Sequence, residues 1–419
     1  MGRARGTGAV TVVLMMLGGV ALAGCAAQPP APRAGPPHAG PLHAGPPHAG
    51  PPHAEPQGAV PSRVTSTPPA SAPPSPDAAA SLGARSRGQV DVYAADRPGM
   101  LSPVVEGFRS LVYVPNSESG TVDVIDPETY RIVRHFTVGA LPQHVVPSWD
   151  LKTLWVNNNR GNSLTPVDPR TGRPGRPVRV EDPYNLYFSP DGKYALVMAE
   201  RNNQFDLRDP HSMKLLRSLP LPCRGINHGD FTADGSVFLA SCEFSGDLVV
   251  LDWRTPIVMR HIHLGHMSMP QDVKLSPDGA VFYVADMERN GVWLVDAATY
   301  KVLRFLPTGR GAHGLYVSRD SRHLYVSNRD EGSVSVVSFE KRKVVDVWRI
   351  PGGGSPDMGG VSADGTKLWL SGRYHGVVYV FDTRDGRVIR TIPVGAGPHG
   401  LCVYPQPGRY SLGHTGVFR

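Results

Sequence analysis

His313-Gly-Leu-Tyr-Val-Ser318, Arg319-Asp-Ser-Arg-His323, Leu324-Tyr-Val-Ser-Asn328, Gly332-Ser-Val-Ser-Val-Val337 and Lys343-Val-Val-Asp-Val-Trp348 follow one another with only short breaks. This is a strand, a polar turn and three further strands in about 40 residues, the size and content of one blade of a β-propeller. The same sentence recurs seven times between Tyr113 and Phe381. Its second strand ends at Asn116, Asn158, Glu200, Cys242, Asp286, Asn328 and Gly372, with spacings of 42, 42, 42, 44, 42 and 44 residues. Seven four-stranded blades follow, an all-β fold. Short runs such as Leu368-Trp-Leu-Ser371 and Val377-Val-Tyr-Val-Phe381 carry the strand pattern, and no stretch sustains a helical period.

A ring needs closure. Pro398-His-Gly-Leu-Cys-Val-Tyr404 matches the inner-strand motif better than Met100 to Glu106 does, so the C-terminal segment is expected to complete the first blade. Val90 to Ala95 is then left to pair at an outer edge, and Gly408 to Arg419, which have no repeat counterpart, to pack outside. The propeller is bounded at residues 89–407 and the tail at 408–419.

The start of the chain reads as an address. Arg3 and Arg5 precede a hydrophobic run from Ala9 to Val20, too short to span a bilayer, and Leu22-Ala-Gly-Cys25 forms a small-residue cleavage site with a cysteine directly after it. That is the pattern of a bacterial lipoprotein signal: residues 1–24 are removed and Cys25 is acylated, with palmitate among the chains. Residues 25–88 are rich in Pro, Ala and Gly and contain a five-residue tandem with His38, His43, His48 and His53; they cannot bury enough apolar surface to fold and read as a disordered tether. The expected location is the extracytoplasmic side of the cell membrane.

The formal net charge is +7, and no run of basic residues interleaves with aromatics, so nucleic acid is not an expected partner. An envelope protein, an anionic wall polymer or a small ligand fits an exported basic chain better, and the propeller is read as a monomer. Cys223 precedes the inner strand of the fourth unit and Cys242 ends the strand paired with it, which makes them a candidate disulfide; Cys402 lies in an apolar strand and reads as core.

Tyr113-Val-Pro-Asn116, Trp155-Val-Asn-Asn158, Tyr283-Val-Ala-Asp286 and Tyr325-Val-Ser-Asn328, with turns at Pro190-Asp-Gly192 and Pro277-Asp-Gly279, resemble the YVTN family of seven-bladed propellers. The resemblance implies architecture over about 70 per cent of the chain. It does not imply an activity, because propellers of this look include surface-layer proteins, haem d1-associated proteins and streptogramin lyases. A covalent c-type haem is not expected, since no Cys-x-x-Cys-His occurs.

Overlaying the seven units gives a candidate site. Inner strands begin, and their partners end, at one mouth of the central channel, which places His144, Asn185, His228, Asp272, His313, Asp357 and His399 around it. The loops above hold Asn159, Arg160, Arg201, Glu243, Glu288, Arg289, Arg329, Arg373 and His375. The expected function is binding of a partner or ligand through this polar mouth, with no cofactor. The alternative is a metal- or haem-dependent oxidoreductase or lyase with His144, His228, His313 and His399 as ligands. The same histidines have a plainer reading as ring-stiffening residues that every blade repeats. His261-Ile-His263-Leu-Gly-His266-Met-Ser-Met269 offers soft ligands but spans a strand and a loop, and Gly395-Ala-Gly-Pro-His-Gly400 enters a strand, which excludes a dinucleotide loop.

Overall fold

The computed structural model describes residues 90–414 and 417–419. The leader, Cys25 and the tether lie outside the described residues. Seven sheets surround one channel. In chain order each blade runs inner strand, two middle strands and outer strand, all antiparallel. The inner strands of blades 2 to 7 are Pro142–Pro147, Pro183–Phe188, Ile226–Phe231, Pro270–Leu275, Ala312–Val317 and Pro356–Val361. Blade 1 takes its inner strand from the other end of the chain: Cys402–Tyr404 pairs with Leu111–Asn116, with Tyr113 opposite Cys402 and Leu111 opposite Tyr404. The ring is thereby closed by both termini, and only the short outer strands of the blades remain as edges.

The core lies between blades. Leu239, Leu248 and Val250 of blade 4 pack on Val273, Leu275 and Phe282 of blade 5, and the other interfaces are built alike. Outer strands are half exposed; in Lys343–Arg349 only Trp348 is buried. In blade 2 the outer strand is split into Arg173–Pro174 and Val178–Arg179, both paired to Ser163–Asp168. Pro174 and Pro177 cannot donate to the ladder, and an edge is where a sheet tolerates that loss. The turns at Pro190-Asp-Gly192 and Pro277-Asp-Gly279 place their glycines at φ of 70° and 71°, the left-handed region that an L side chain avoids.

Both chain ends depart from expectation. Val90 to Ala95 does not pair at an outer edge. It lies under the far mouth of the channel, where Val92 N–H donates to Pro277 O at 2.9 Å and the Tyr93 hydroxyl donates to Leu275 O at 2.8 Å. The tail does not pack outside. Ser411–Gly413 enters the channel and adds to the inner strand of blade 3 through Gly413 opposite Tyr187, while Val417–Phe418 pairs back on it. The reason is burial: Leu412, Val417 and Phe418 are all at most 1% exposed, an apolar set that an outside position would leave in water. Arg419 returns to the far mouth, 3.0 Å from Asp230 and stacked over Tyr93.

Candidate functional site

The residues that the overlay placed at the mouth are positioned by irregular pairing. In blade 2 the ladder runs from Pro142 opposite Asn158 directly to Val145 opposite Val156, and blades 4 to 7 skip at the same place. His144, His228, Asp272, His313 and Asp357 sit in those skipped stretches. A bulge re-aims a side chain away from the regular alternation, here into the channel. The seven overlay residues do converge, but as a buried cluster rather than an open rim: none is more than 2% exposed. A macromolecule resting on the face would not touch them.

One half of the cluster is organised by Asp357. Its Oδ2 lies 2.7 Å from His399 Nδ1 and its Oδ1 2.9 Å from His313 Nδ1, the latter in range as an ion pair though poorly aligned as a hydrogen bond. Arg329 donates from Nε and Nη2 to Oδ1 at 3.0 and 2.7 Å. Burial pulls the Asp357 carboxyl upward, but Arg329, His313 and His399 outweigh it and hold it well below the usual carboxylate range. Burial lowers His399 to about 3 against the pull of Asp357, and lowers His313 too, with Arg329 adding to the effect.

The other half is a triad that the repeat does not contain in full. His144 and His228 come from blades 2 and 4, and the third imidazole is His414, carried up the channel by the tail. Ring centres are 5.3 Å apart for His144 and His228, 5.1 Å for His144 and His414, and 4.8 Å for His228 and His414. One nitrogen from each ring lies within 4.8 Å of the others, and this is the one such group of metal-ligating side chains among the described residues. Neither nitrogen of His144 or of His228 has a hydrogen-bond partner there. Burial, then the neighbouring imidazoles, drive both residues well below the usual histidine range, so both are neutral at pH 7.

The surroundings fix this arrangement. His414 Nε2 lies 3.4 Å from Asp272 Oδ1, and its Nδ1 is 3.0 Å from the Asn185 amide nitrogen; the Asn185 oxygen is taken by Leu186 N–H. Asp272 Oδ2 also accepts from Leu315 N–H at 2.9 Å, tying blade 5 to blade 6. Gly413 and Gly400 are there for close approach. A Cβ at Gly413 would sit 2.4 Å from Leu186 O and from Tyr187 Cα, and one at Gly400 would strike His144 Nδ1 at 2.0 Å. Tyr184 covers the cluster edge-on, 5.5 Å from His144 and 5.7 Å from His228, with its hydroxyl 3.5 Å from His399 Nε2.

The charged loop residues do not gather on one point. Arg201 pairs with Asp182 at 2.7 Å, Arg373 donates to Ser117 Oγ at 3.2 Å, Glu243 accepts from Asn227, and His375 Nδ1 meets Ser355 Oγ at 2.7 Å. Burial, with Glu243 next, raises the Glu200 carboxyl well above its ordinary range. His261 and His263 share Asp247 on the outer strand of blade 4, away from the channel cluster and partly exposed. Cys223 and Cys242 form a disulfide; among the described residues Cys402 is the free, buried cysteine. His414, Tyr184 and Asp230 escaped the sequence reading. Leu412, Val417 and Phe418 flanking His414 were the available signal, since an apolar-flanked histidine in a tail argues for insertion.

No curated protein matches the chain. Among solved structures it is similar to a functionally unknown protein from Desulfotomaculum acetoxidans (TM-score 0.60, 15% identity, covering 70% of this chain and 98% of that one). It is also similar to Kuenenia stuttgartiensis hydrazine synthase (0.58, 20%, covering 68% and 94%). A third is dihydro-heme d1 dehydrogenase NirN in complex with DHE (0.54, 15%, covering 73% and 76%). At these identities the likeness is one of fold alone. The model of the YNCE-like beta-propeller family matches residues 101–408, nearly the whole ring, and with seven blades closed by the two chain ends this protein belongs to that family.

Proposed function

We propose that this is an extracytoplasmic, lipid-anchored propeller that holds a transition-metal ion of the copper or zinc class in its channel through His144, His228 and His414. The observation that carries the reading is the convergence of three buried imidazoles with ligand atoms within 4.8 Å. Neutral imidazole is the ligating form, and it suits borderline metals. Ring spacing supports it as well. An ion about 2.05 Å from each nitrogen lies about 3.2 Å from each ring centre, and a tetrahedral angle then separates two ring centres by about 5.2 Å. The three separations here run from 4.8 to 5.3 Å.

Energetics point the same way. A buried polar atom without a partner costs about 1–3 kcal/mol, and His144 and His228 carry four such nitrogens between them. Asp272 at His414 Nε2 is the carboxylate partner that orients a ligating imidazole, which leaves Nδ1 as the ligand atom, and Nδ1 must exchange the Asn185 amide for the ion. Three protein ligands leave a fourth position for water or substrate, as catalytic rather than closed sites do. Haem fits less well, because rings this close leave no slot for a macrocycle. Metal analysis of protein purified from copper- and zinc-supplemented medium tests the reading: at least one equivalent is expected, reduced by His228→Ala. Metal-free protein whose thermal stability ignores chelator refutes it.

The leader pattern supports anchoring through Cys25, and Cys25→Ala should move the protein from the membrane to the soluble fraction; unchanged partition would refute the anchor. A second role, docking of an envelope protein or wall polymer, is favoured by the blade 7 loop, where Arg373 neighbours Tyr374, 65% exposed. Arg373→Ala with Tyr374→Ala should weaken co-purification of such a partner.

A further inference from the structure

Lys274 breaks the pattern of the channel wall. It lies on the inner strand of blade 5 opposite Tyr283, and the same place holds Asp230 in blade 4, Tyr316 in blade 6 and Gly360 in blade 7, so the repeat does not require it. Its side chain is 1% exposed, and its ammonium has no hydrogen-bond partner among the described residues. Lysine is almost never buried so completely unless it is paired. The pairing is with Asp272: Nζ stands 3.8 Å from Oδ1, the same oxygen that lies 3.4 Å from His414 Nε2.

The consequence is a site without spare negative charge. The carboxylates that act most strongly on the three rings are Asp357 on His144, and Asp272 and Asp230 on His414. Each has its own cation, with Arg329 2.7 Å from Asp357, Arg419 3.0 Å from Asp230 and Lys274 3.8 Å from Asp272. Nearer the mouth, Glu243 and Arg373 act on Tyr184 with opposite signs. An ion on three neutral imidazoles therefore keeps its charge in a buried place. The Born cost of burial rises as the square of the charge, so it weighs about four times as heavily on a divalent ion as on a monovalent one.

From this we infer that the channel site is built for Cu(I), and that Lys274 sets the preference by neutralising the carboxylate behind His414. The inference rests on the metal reading of the site. Imidazole suits copper as well as zinc, so the ligands alone do not decide between them. Lys274 touches neither ion nor ligand and acts through its field. An ion on His414 Nδ1 lies within about 11 Å of the ammonium, where at an effective dielectric of about 20 one unit charge changes affinity about tenfold for a monovalent ion and about a hundredfold for a divalent one.

The test compares the affinities of the full chain for Cu(I), titrated under argon against bicinchoninate, and for Zn(II), titrated against a chromophoric chelator. Sites that persist in His228→Ala are subtracted from both. Wild type is expected to hold Cu(I) more tightly than Zn(II). Lys274→Gln should tighten Zn(II) about a hundredfold and Cu(I) about tenfold, a two-to-one ratio on the logarithmic scale that marks a charge effect, since a packing defect would weaken both. Lys274→Arg, which keeps the charge, should keep the wild-type preference. Zn(II) held as tightly as Cu(I) by wild type overturns the inference and leaves the three-imidazole site standing, and this comparison decides even where Lys274→Gln fails to fold. A folded Lys274→Gln variant whose two affinities move equally, or fall, overturns it too. Failure to hold either ion overturns both readings.

Discussion

Gly413→Ala separates the tail's seat from the ligands themselves, because it changes none of the three imidazoles. The added Cβ would lie 2.4 Å from Leu186 O and Tyr187 Cα, whereas ordinary contact begins near 3.4 Å, so the tail must retreat by about 1 Å. Its φ of 102° adds strain for any L side chain, of order 1–2 kcal/mol. The retreat also costs the bond from His414 N–H to Leu186 O, now 3.0 Å. Metal sites tolerate ligand displacements of about 0.2 Å, so a shift several times larger at the residue before His414 removes the third ligand. Since disturbing only the support of a ligand costs about 10–100-fold, loss of at least about 100-fold in Zn(II) affinity is expected. Competition titration against a chromophoric chelator measures it, with a thermal melt to confirm that the ring persists. His414→Ala should lose as much, and the double variant no more than His414→Ala alone, because both act through one contact. Wild-type affinity in Gly413→Ala, or additive losses in the double variant, would refute the role given to the tail.

Metal-free protein should lose stability as pH falls below about 6.5. His144, His228, His313, His399 and His414 are all lowered in the fold, so in this range the unfolded chain binds protons that the folded chain does not. Asp96, raised to about 7 by burial, and Glu200, also raised, do the opposite. Five lowered histidines outnumber the two raised carboxyls, so the net effect is stability that rises as pH rises through the ordinary histidine range. Urea midpoints at pH 7 and 5 check it; equal midpoints contradict it. Reducing the disulfide between Cys223 and Cys242, 19 residues apart, should cost about 3 kcal/mol by loop closure, read as a lower urea midpoint in Cys223→Ser with Cys242→Ser. Gly400→Ala should push His144 out of the triad and weaken Zn(II) binding without changing the blade count, because its Cβ meets the ring and not the ladder.

The ring was readable because each blade restates it. Spacing of the second-strand ends set the number of blades, and the match of Pro398 to Tyr404 with the inner-strand motif identified the closing strand. That period gives an angle around the axis for every residue but not a depth along it. His144, His228, His313 and His399 were therefore placed around one opening, while their burial beneath Tyr184 was not foreseen. Gly408 to Arg419 and Val90 to Ala95 stand outside the repeat, so no overlay could locate them, and with the tail went His414. Asp357 and Asp272, which break the histidine pattern, turn out to orient His313, His399 and His414.

X-ray absorption at the metal edge of the loaded protein tests the central claim most directly. The account predicts a first shell of nitrogen at about 2.0 Å with the outer-shell scattering of at least three imidazoles, diminished by one in His414→Ala. A spectrum dominated by oxygen or sulfur ligands, or one that His414→Ala leaves unchanged, would contradict it.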